Sequence, residues 1–510
     1  LRPALSEAAL SSIEGGSQTR PYTRMEATGS AVPAVQRDST PRSRPMLASM
    51  ATAAPAEVRP QRPSGYNILA TPLPGKLLRW APARDLQGRP GIAALVGSGE
   101  GFKARSLWFV DPVRKTQQRL ADVHEEVNAV AAFDLDGDGS ATPVASMPGV
   151  LFAPGGGGAR RVLESADVDL LSVDGLSSAW PAGLPWLPTA RAGHLQLLTA
   201  GPGGGLGRGD GFDIPLKAER TRWGLRLTSP GVTLLGRGGE PLLAVGPETH
   251  GRRRLRTLVL APGGGEPVES WSLLPGDERL LEEKYLRING RPALAVGTIE
   301  KIGIFVKKRL RLFYLDRDRS RRGTAPVLAV DTDCALWNPL TTFAADADGD
   351  GQDDLVLIHP EGMDSGELVV SVFRNVGEGK FEPRPRRTKL GLTAREWDFG
   401  SDLNGDGAPD LLVLADGKLH LYPGEREGRP VASKAAWSVV VGKSQKEKDK
   451  EKDDRDEADF ALATGRSLDV VDLDGDGIQE IAVRGEGGKN QSVLYVLRKP
   501  APAEPGAGTR

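Results

Sequence analysis

The 510 residues carry 66 basic and 67 acidic side chains, a formal net charge of -1, so no global field draws the chain to nucleic acid or to an anionic membrane. Gly 64 and Pro 39 make up about a fifth of the chain, the level expected when short strands alternate with tight turns, which favours an all-β over a helical architecture. The single cysteine, Cys334, excludes an intrachain disulfide, and no transmembrane segment is expected, because no stretch reaches the ~18 consecutive apolar residues of a helical span.

Residues 1–64 are rich in Ser, Ala, Pro, Thr and Arg without a period of 2 or 3.6. Such a segment buries too little apolar surface to offset the entropy of ordering, and it reads as a disordered leader. From 65 to 499 a phrase repeats: a turn rich in Gly, Asp and Pro, a short apolar run, a second β-like run and a polar connection. The first copy, Asp85 to Pro90 before Ile92-Ala93-Ala94-Leu95, lacks the carboxylates of later ones. The second is Asp134-Leu135-Asp136-Gly137-Asp138-Gly139 before Pro143-Val144-Ala145. Fainter copies follow at Ala190 to Gly193, Gly236 to Pro241 and Asn289 to Pro292, each before an apolar run. The fullest copies are Asp346 to Asp354 before Leu355-Val356-Leu357-Ile358 and Asp402 to Asp410 before Leu411-Leu412-Val413-Leu414. The last runs from Asp472 to Glu480 before Ile481-Ala482-Val483.

Eight units spaced by roughly 50 to 60 residues match four-stranded propeller blades, so a closed β-propeller of seven or eight blades is expected. The longest interval holds 443–459, almost entirely Lys, Glu and Asp, a mixed-charge run that reads as a solvated insertion. After Asp472 only two strand-like runs remain, so the last blade lacks an outer strand, which residues around Tyr66 to Leu73 can supply by ring closure. Residues 500–510 read as a disordered tail.

In the loop from Asp346, carboxylates stand at positions 1, 3, 5 and 9 and glycines at 4 and 6. Calcium takes six to eight oxygen ligands, and alternate side chains of a tight loop turn several oxygens inward while glycine permits the positive φ that wraps the backbone. The residue at position 7, Gln352, Ala408 or Ile478, would contribute a carbonyl, for which side-chain identity is irrelevant. An EF-hand would require Glu at position 12 and helices on both sides; here position 12 is Leu357, Val413 or Val483, within strand-like runs. One copy would read equally well as a polar turn, but four with one spacing point to Ca2+. Thr142 at position 9 brings no charge, so the site at Asp134 is expected to be the weakest.

The pattern Asp-x-Asp/Asn-Gly-Asp-Gly-x-x-Asp/Glu before an apolar strand resembles the FG-GAP and VCBS repeat family, which includes the propeller of integrin α subunits. Phe399-Gly400 is similar to the family's Phe-Gly phrase, and Phe373 to Phe381 resembles the strand-turn that ends many VCBS repeats. The resemblance is strong over about 340 to 498, clear at 130 to 145 and weak elsewhere. It implies a propeller with calcium between the first two strands of a blade, in an extracellular, cell-surface or periplasmic protein that binds proteins or glycans. The ligand roles it carries over fall on Asp346, Asp348, Asp350 and Asp354, on Asp402, Asn404, Asp406 and Asp410, on Asp472, Asp474, Asp476 and Glu480, and on Asp134, Asp136 and Asp138.

No reaction is legible. The five histidines are scattered without metal-ligand spacing, the Gly-rich segments lack the Lys-Ser/Thr ending of a phosphate loop, and the basic clusters at 252–256 and 307–322 read as solvated strand faces. The expected function is therefore a monomeric, calcium-stabilised binding or adhesion module for a protein or glycan, the calcium being structural. One alternative is a calcium-dependent polysaccharide lyase on an eight-bladed propeller, which would bring Lys, Arg, His or Tyr together at a central calcium. The other is a structural part of a larger assembly.

Overall fold

The run Leu355-Val356-Leu357-Ile358 is too short for a helix and is bounded by turn residues on one side. In the computed structural model it lies in the strand Asp354–Pro360, buried along its whole length. The structure describes residues 65–499 apart from 171–185, 443–466 and shorter stretches that include 136 and 138–140. The leader 1–64, the insertion 443–459, the tail 500–510, Asp136 and Asp138 thus lie outside the described residues.

Eight four-stranded antiparallel sheets form an eight-bladed β-propeller, which resolves the choice between seven blades and eight. Blade 1 is Lys76–Arg84, Pro90–Ser98, Ala104–Asp111 and Thr116–Val123; blade 2 is Ala129–Phe133, Thr142–Met147, Val150–Gly155 and Gly158–Glu164. Blade 3 is Val168–Leu170, Trp186–Arg191, His194–Gly201 and Gly205–Pro215; blade 4, after a separate hairpin of Lys217–Thr221 and Gly224–Ser229, is Val232–Leu235, Leu242–His250, Arg254–Leu260 and Val268–Leu273. Blade 5 is Arg279–Ile288, Arg291–Ile299, Lys307–Tyr314 and Leu328–Ala335. Blade 6 is Thr341–Ala345, Asp354–Pro360, Leu368–Phe373 and Arg386–Lys389, and blade 7 is Glu396–Ser401, Asp410–Ala415, Lys418–Tyr422 and Trp437–Val440. Blade 8 joins Leu468–Val471, Glu480–Glu486 and Ser492–Arg498 to Asn67–Pro72, which pairs antiparallel with Ser492–Arg498 as its outer strand.

That last pairing is the ring closure expected from the sequence. It is reinforced by the Leu73 amide donating to the Ser492 carbonyl at 2.9 Å and by the Tyr66 hydroxyl donating to the Leu403 carbonyl of blade 7. One turn is placed differently from its sequence reading. Residues 190 and 191 end the second strand of blade 3 and 192–193 lead into its third, because Val168–Leu170 is the blade's first strand and precedes Trp186–Arg191; the connection between those two spans 171–185.

Second strands divide their side chains between two cores. Leu355 and Leu357 pack into a cluster with blade 5 residues such as Leu312, while Val356 and Ile358 pack into one with blade 7 residues such as Val413. Leu411 and Val413 face blade 6, whereas Leu412 joins Ile481 and Val483 of blade 8. Ala482 faces Ile92 and Ala94 of blade 1, closing the circuit. A strand that alternates between two apolar environments needs apolar residues at every position, which explains the unbroken runs.

Removal of residues 65–73 tests the closure. Leu73, 2% exposed, sits in the core shared by blades 8 and 1, and Leu73→Ala is expected to cost ~2–5 kcal/mol. Deleting the whole segment should cost more and leave the edge of Ser492–Arg498 open to association, as read by denaturant unfolding and sedimentation.

Candidate metal centres

The four acidic loops join the first and second strands of blades 2, 6, 7 and 8 in one register. Position 9 opens the second strand and pairs with the last residue of the first: Thr142 with Phe133, Asp354 with Ala345, Asp410 with Ser401 and Glu480 with Val471. The same loop therefore recurs between the same two ladder positions.

Position 1 organises the turn. Asp346 Oδ1 accepts from the amides of Gly349 at 2.7 Å and Asp350 at 3.0 Å, and its Oδ2 accepts from Gly351 at 2.9 Å. Asp402 repeats this with Gly405, Asp406 and Gly407 at 2.6, 3.1 and 2.9 Å. Asp472 accepts from Gly477 at 2.9 Å and Asp134 from Gly137 at 2.8 Å. The turn needs glycine where φ is positive, at 80° and 84° for Gly349 and Gly351 and at 87° and 83° for Gly405 and Gly407, a region costly for other residues. Position 5 then accepts from the position-7 amide: Gln352 to Asp350 at 2.9 Å, Ala408 to Asp406 at 2.8 Å and Ile478 to Asp476 at 2.7 Å.

Positions 1, 3 and 5 are brought together. Asp346, Asp348 and Asp350 each offer a carboxylate oxygen within 4.8 Å of the others, as do Asp472, Asp474 and Asp476. In blade 7 the middle residue is Asn404, whose Nδ2 donates to Asp406 Oδ2 at 2.7 Å and to Asp410 Oδ1 at 3.3 Å. Of the first site, only Asp134 among the three expected acids is described.

Position 9 is the buried member, with Asp354, Asp410 and Glu480 at 0%, 1% and 1% exposure. Asp354 Oδ1 accepts from the Asn375 amide at 2.8 Å, while its Oδ2 has no hydrogen-bond partner among the described residues. Asp410 is satisfied by the amides of Leu403, Asn404 and Gly424 at 2.8, 2.9 and 2.9 Å. Glu480 Oε2 accepts from the Leu473 amide at 2.8 Å. Burial pushes Asp354 up to about 6, against the Asn375 amide and together with repulsion from Asp348 and Asp350. Burial likewise lifts Asp410 to about 6, although three amides oppose it, and Glu480 to about 7. A hard divalent cation fits this donor set: it would satisfy the orphaned Asp354 oxygen and offset the mutual repulsion that makes each loop costly without one.

Sequence reasoning missed the cations that face the loops. Arg374 Nε lies 2.7 Å from Asp348 Oδ2, and its Nη2 lies 3.4 Å from Asp350 Oδ2. Arg498 reaches Asp474 at 2.6 Å, Asp476 at 2.9 Å and Glu480 Oε1 at 3.1 Å. Arg374 stands in the 373–381 phrase, so a signal existed, but its register with the loop became visible only in the sheet. Also missed was an inter-blade clamp, in which the Asn289 amide donates to Asp353 Oδ2 and the Asp353 amide to Asn289 Oδ1, both at 2.6 Å.

No protein-family profile matches the chain, and no curated protein sequence matches it. Among solved structures it is similar to the WD40 domain of SCAP from fission yeast, at 11% identity and TM-score 0.38 over 85% of this chain and 98% of that one. It is also similar to BBS1N from a complex with ARL6DN, at 14% identity and TM-score 0.37 over 73% of this chain and 92% of that one. For the polysaccharide lyase Uly1 the figures are 8% identity and TM-score 0.36 over 82% and 90%. Likeness at this level says nothing about the loops.

The raised carboxyls set a pH dependence for the metal-free protein. Folded Asp354, Asp410 and Glu480 hold a proton that their unfolded counterparts release near pH 4, so the folded state binds more protons between about pH 4 and 7. Stability in chelator should therefore fall as pH rises through that window, by on the order of 2–3 kcal/mol per group. Asp354→Asn, neutral throughout, should remove roughly a third of that fall in thermal melts taken from pH 4.5 to 7.5.

Proposed function

We propose that this eight-bladed propeller is a calcium-stabilised binding module for a protein or a glycan, working outside the cytoplasm, with FG-GAP/VCBS-type loops in blades 2, 6, 7 and 8. The observation that carries the calcium reading is the fully buried Asp354, whose Oδ2 has no donor among the described residues, in the loop whose first, third and fifth carboxylates converge. An ionised oxygen left so costs about 1–3 kcal/mol or more, and a cation shared with Asp346, Asp348 and Asp350 would remove the cost. Calcium bound there contributes stability, because its ligands scarcely exist as a set in the unfolded chain.

The binding reading rests on the two ends of the ring. Antiparallel order puts the loops between first and second strands at one end and the connections between blades at the other. At that other end Trp337, between blades 5 and 6, is 53% exposed, an amphipathic ring of the kind enriched at protein and glycan contacts. The histidines give no support to a reaction centre: His194, His250, His359 and His420 lie in blades 3, 4, 6 and 7, and His124 follows the outer strand of blade 1.

Melting with excess calcium and with chelator tests the first half. At a hundredfold excess over Kd, calcium should add ~2.7 kcal/mol per site, and Asp354→Asn should reduce the shift. An identical melting temperature with and without calcium would sink the reading. A glycan and protein-ligand screen on the same sample tests the second half, with Trp337→Ala expected to weaken any hit at least tenfold. New unsaturated ends on an acidic polysaccharide would replace the module with a lyase.

A further inference from the structure

Arg374 and Arg498 occupy equivalent places. Phe373 pairs with Leu355 and Leu497 with Ile481, each partner being the residue directly after position 9, so the next residue along the third strand faces the acidic loop. In blade 7 the same register pairs Tyr422 with Leu411, and the next residue is Pro423. Position 3 changes in step. It is Asp348 or Asp474 where the facing residue is arginine, and Asn404 where it is proline. Counting positions 1, 3, 5 and 9 with the facing residue, blades 6 and 8 have four carboxylates and one guanidinium and blade 7 has three carboxylates and none, so these positions carry the same net charge in all three; the Arg426 guanidinium at the blade 7 loop donates to the Gly407 carbonyl and, among the described residues, not to a carboxylate.

The contacts match as well as the count. Arg498 donates to the Oδ2 of position 5, Asp476, at 2.9 Å, and its Nε lies 3.1 Å from the Oε1 of position 9, Glu480, an ion pair without hydrogen-bond geometry. In blade 7 those two places, Asp406 Oδ2 and Asp410 Oδ1, are taken by the Nδ2 of Asn404. A neutral amide in blade 7 thus lies between the two carboxylates that a guanidinium faces in blade 8. Charge-assisted bonds are about twice as strong as neutral ones, and an amide that turns over offers a cation its oxygen, which a guanidinium lacks.

We propose that Arg374 and Arg498 are resident counter-cations that compete with calcium for the carboxylates of positions 3 and 5, holding the loops of blades 6 and 8 together without metal and leaving blade 7 the most calcium-dependent of the three. This rests on the calcium reading above. Arg498, with three acidic partners and a side chain 21% exposed, is the stronger latch; Arg374, with two partners and 48% exposed, is the weaker.

The test compares the wild-type chain with Arg374→Met, Arg498→Met, Arg498→Lys and Asn404→Asp by calcium titration calorimetry and by melting in chelator. Arg498→Met should melt lower than wild type in chelator, recover with calcium, and bind one calcium ~tenfold or more tightly. Arg374→Met should do the same to a smaller degree, and Arg498→Lys should lie between Arg498→Met and wild type. Asn404→Asp adds a fourth carboxylate with no arginine, so it should widen the gap between melting with and without calcium; it also decides the matter should Arg498→Met not fold. If wild type binds calcium while the arginine variants keep its affinity and its melting in chelator, or Asn404→Asp leaves the gap unchanged, the latch is wrong and the calcium reading stands. If neither wild type nor any variant responds to calcium, the calcium reading itself fails.

Discussion

A four-stranded blade of this chain has two apolar faces, and neither can be left in water. Leu355 and Leu357 point one way and Val356 and Ile358 the other, so the strand is stable only with a sheet on each side. The neighbour has the same need, and the demand passes from blade to blade until the last meets the first. Each buried Leu, Ile or Val contributes about 1.5–3 kcal/mol, so a gap would expose a whole face. The ring is therefore closed by Asn67–Pro72 on Ser492–Arg498 and by a core that joins Val471 and Ala482 to Ile92 and Ala94.

Packing of this kind specifies faces but leaves the ends of the strands polar and crowded. The acidic loops solve one problem there and create another. The position-1 aspartate collects up to three amides that a tight turn would otherwise leave unpaired, which shapes the turn without any metal. The further carboxylates repel one another, and arginines at the end of the third strand, bound cations or protons must answer them. The loops also staple blades together. Asn289 and Asp353 exchange bonds between blades 5 and 6, and Tyr66 of the ring closure donates to Leu403 inside the loop of blade 7. Loop order and ring order are thereby coupled.

Much of this was legible in the sequence because both signals are local. Unbroken apolar runs of four after a turn mark strands buried on two faces, and Asp-x-Asp-Gly-Asp-Gly marks a loop whose geometry its own residues impose. The outer strand at 67–72 could be inferred from a missing partner in blade 8. What escaped was non-local. The turn at 190–193 was displaced by one strand because Val168–Leu170 is too short to announce itself. Arg374 and Arg498 were out of reach because their partners lie about 24 residues earlier in the chain, and only strand register puts them opposite position 9.

The blades without acidic loops show what the arginines mean. In blade 5 the carboxylate of Glu278, 3% exposed, receives Arg311 Nε at 3.0 Å and the Thr298 hydroxyl at 2.7 Å. Burial would raise its pKa, but these donors hold it below the usual range. In blade 4 Arg256 bridges Glu269 at 2.6 Å and Glu248 at 3.0 Å. In these blades the carboxylates are answered by guanidinium and hydroxyl donors of the same blade. Blades 6 and 8 go only part of the way, with one facing arginine beside four carboxylates, and in blade 7 the Asn404 amide is joined by Arg426, which donates to the Gly407 carbonyl at 2.9 Å. A complete internal balance would leave a cation nothing to gain, and none would leave the loops unstable without one. On the proposed calcium reading, the partial balance would tie the stability of these loops to their ionic surroundings, while the apolar cores between blades hold the ring itself in place.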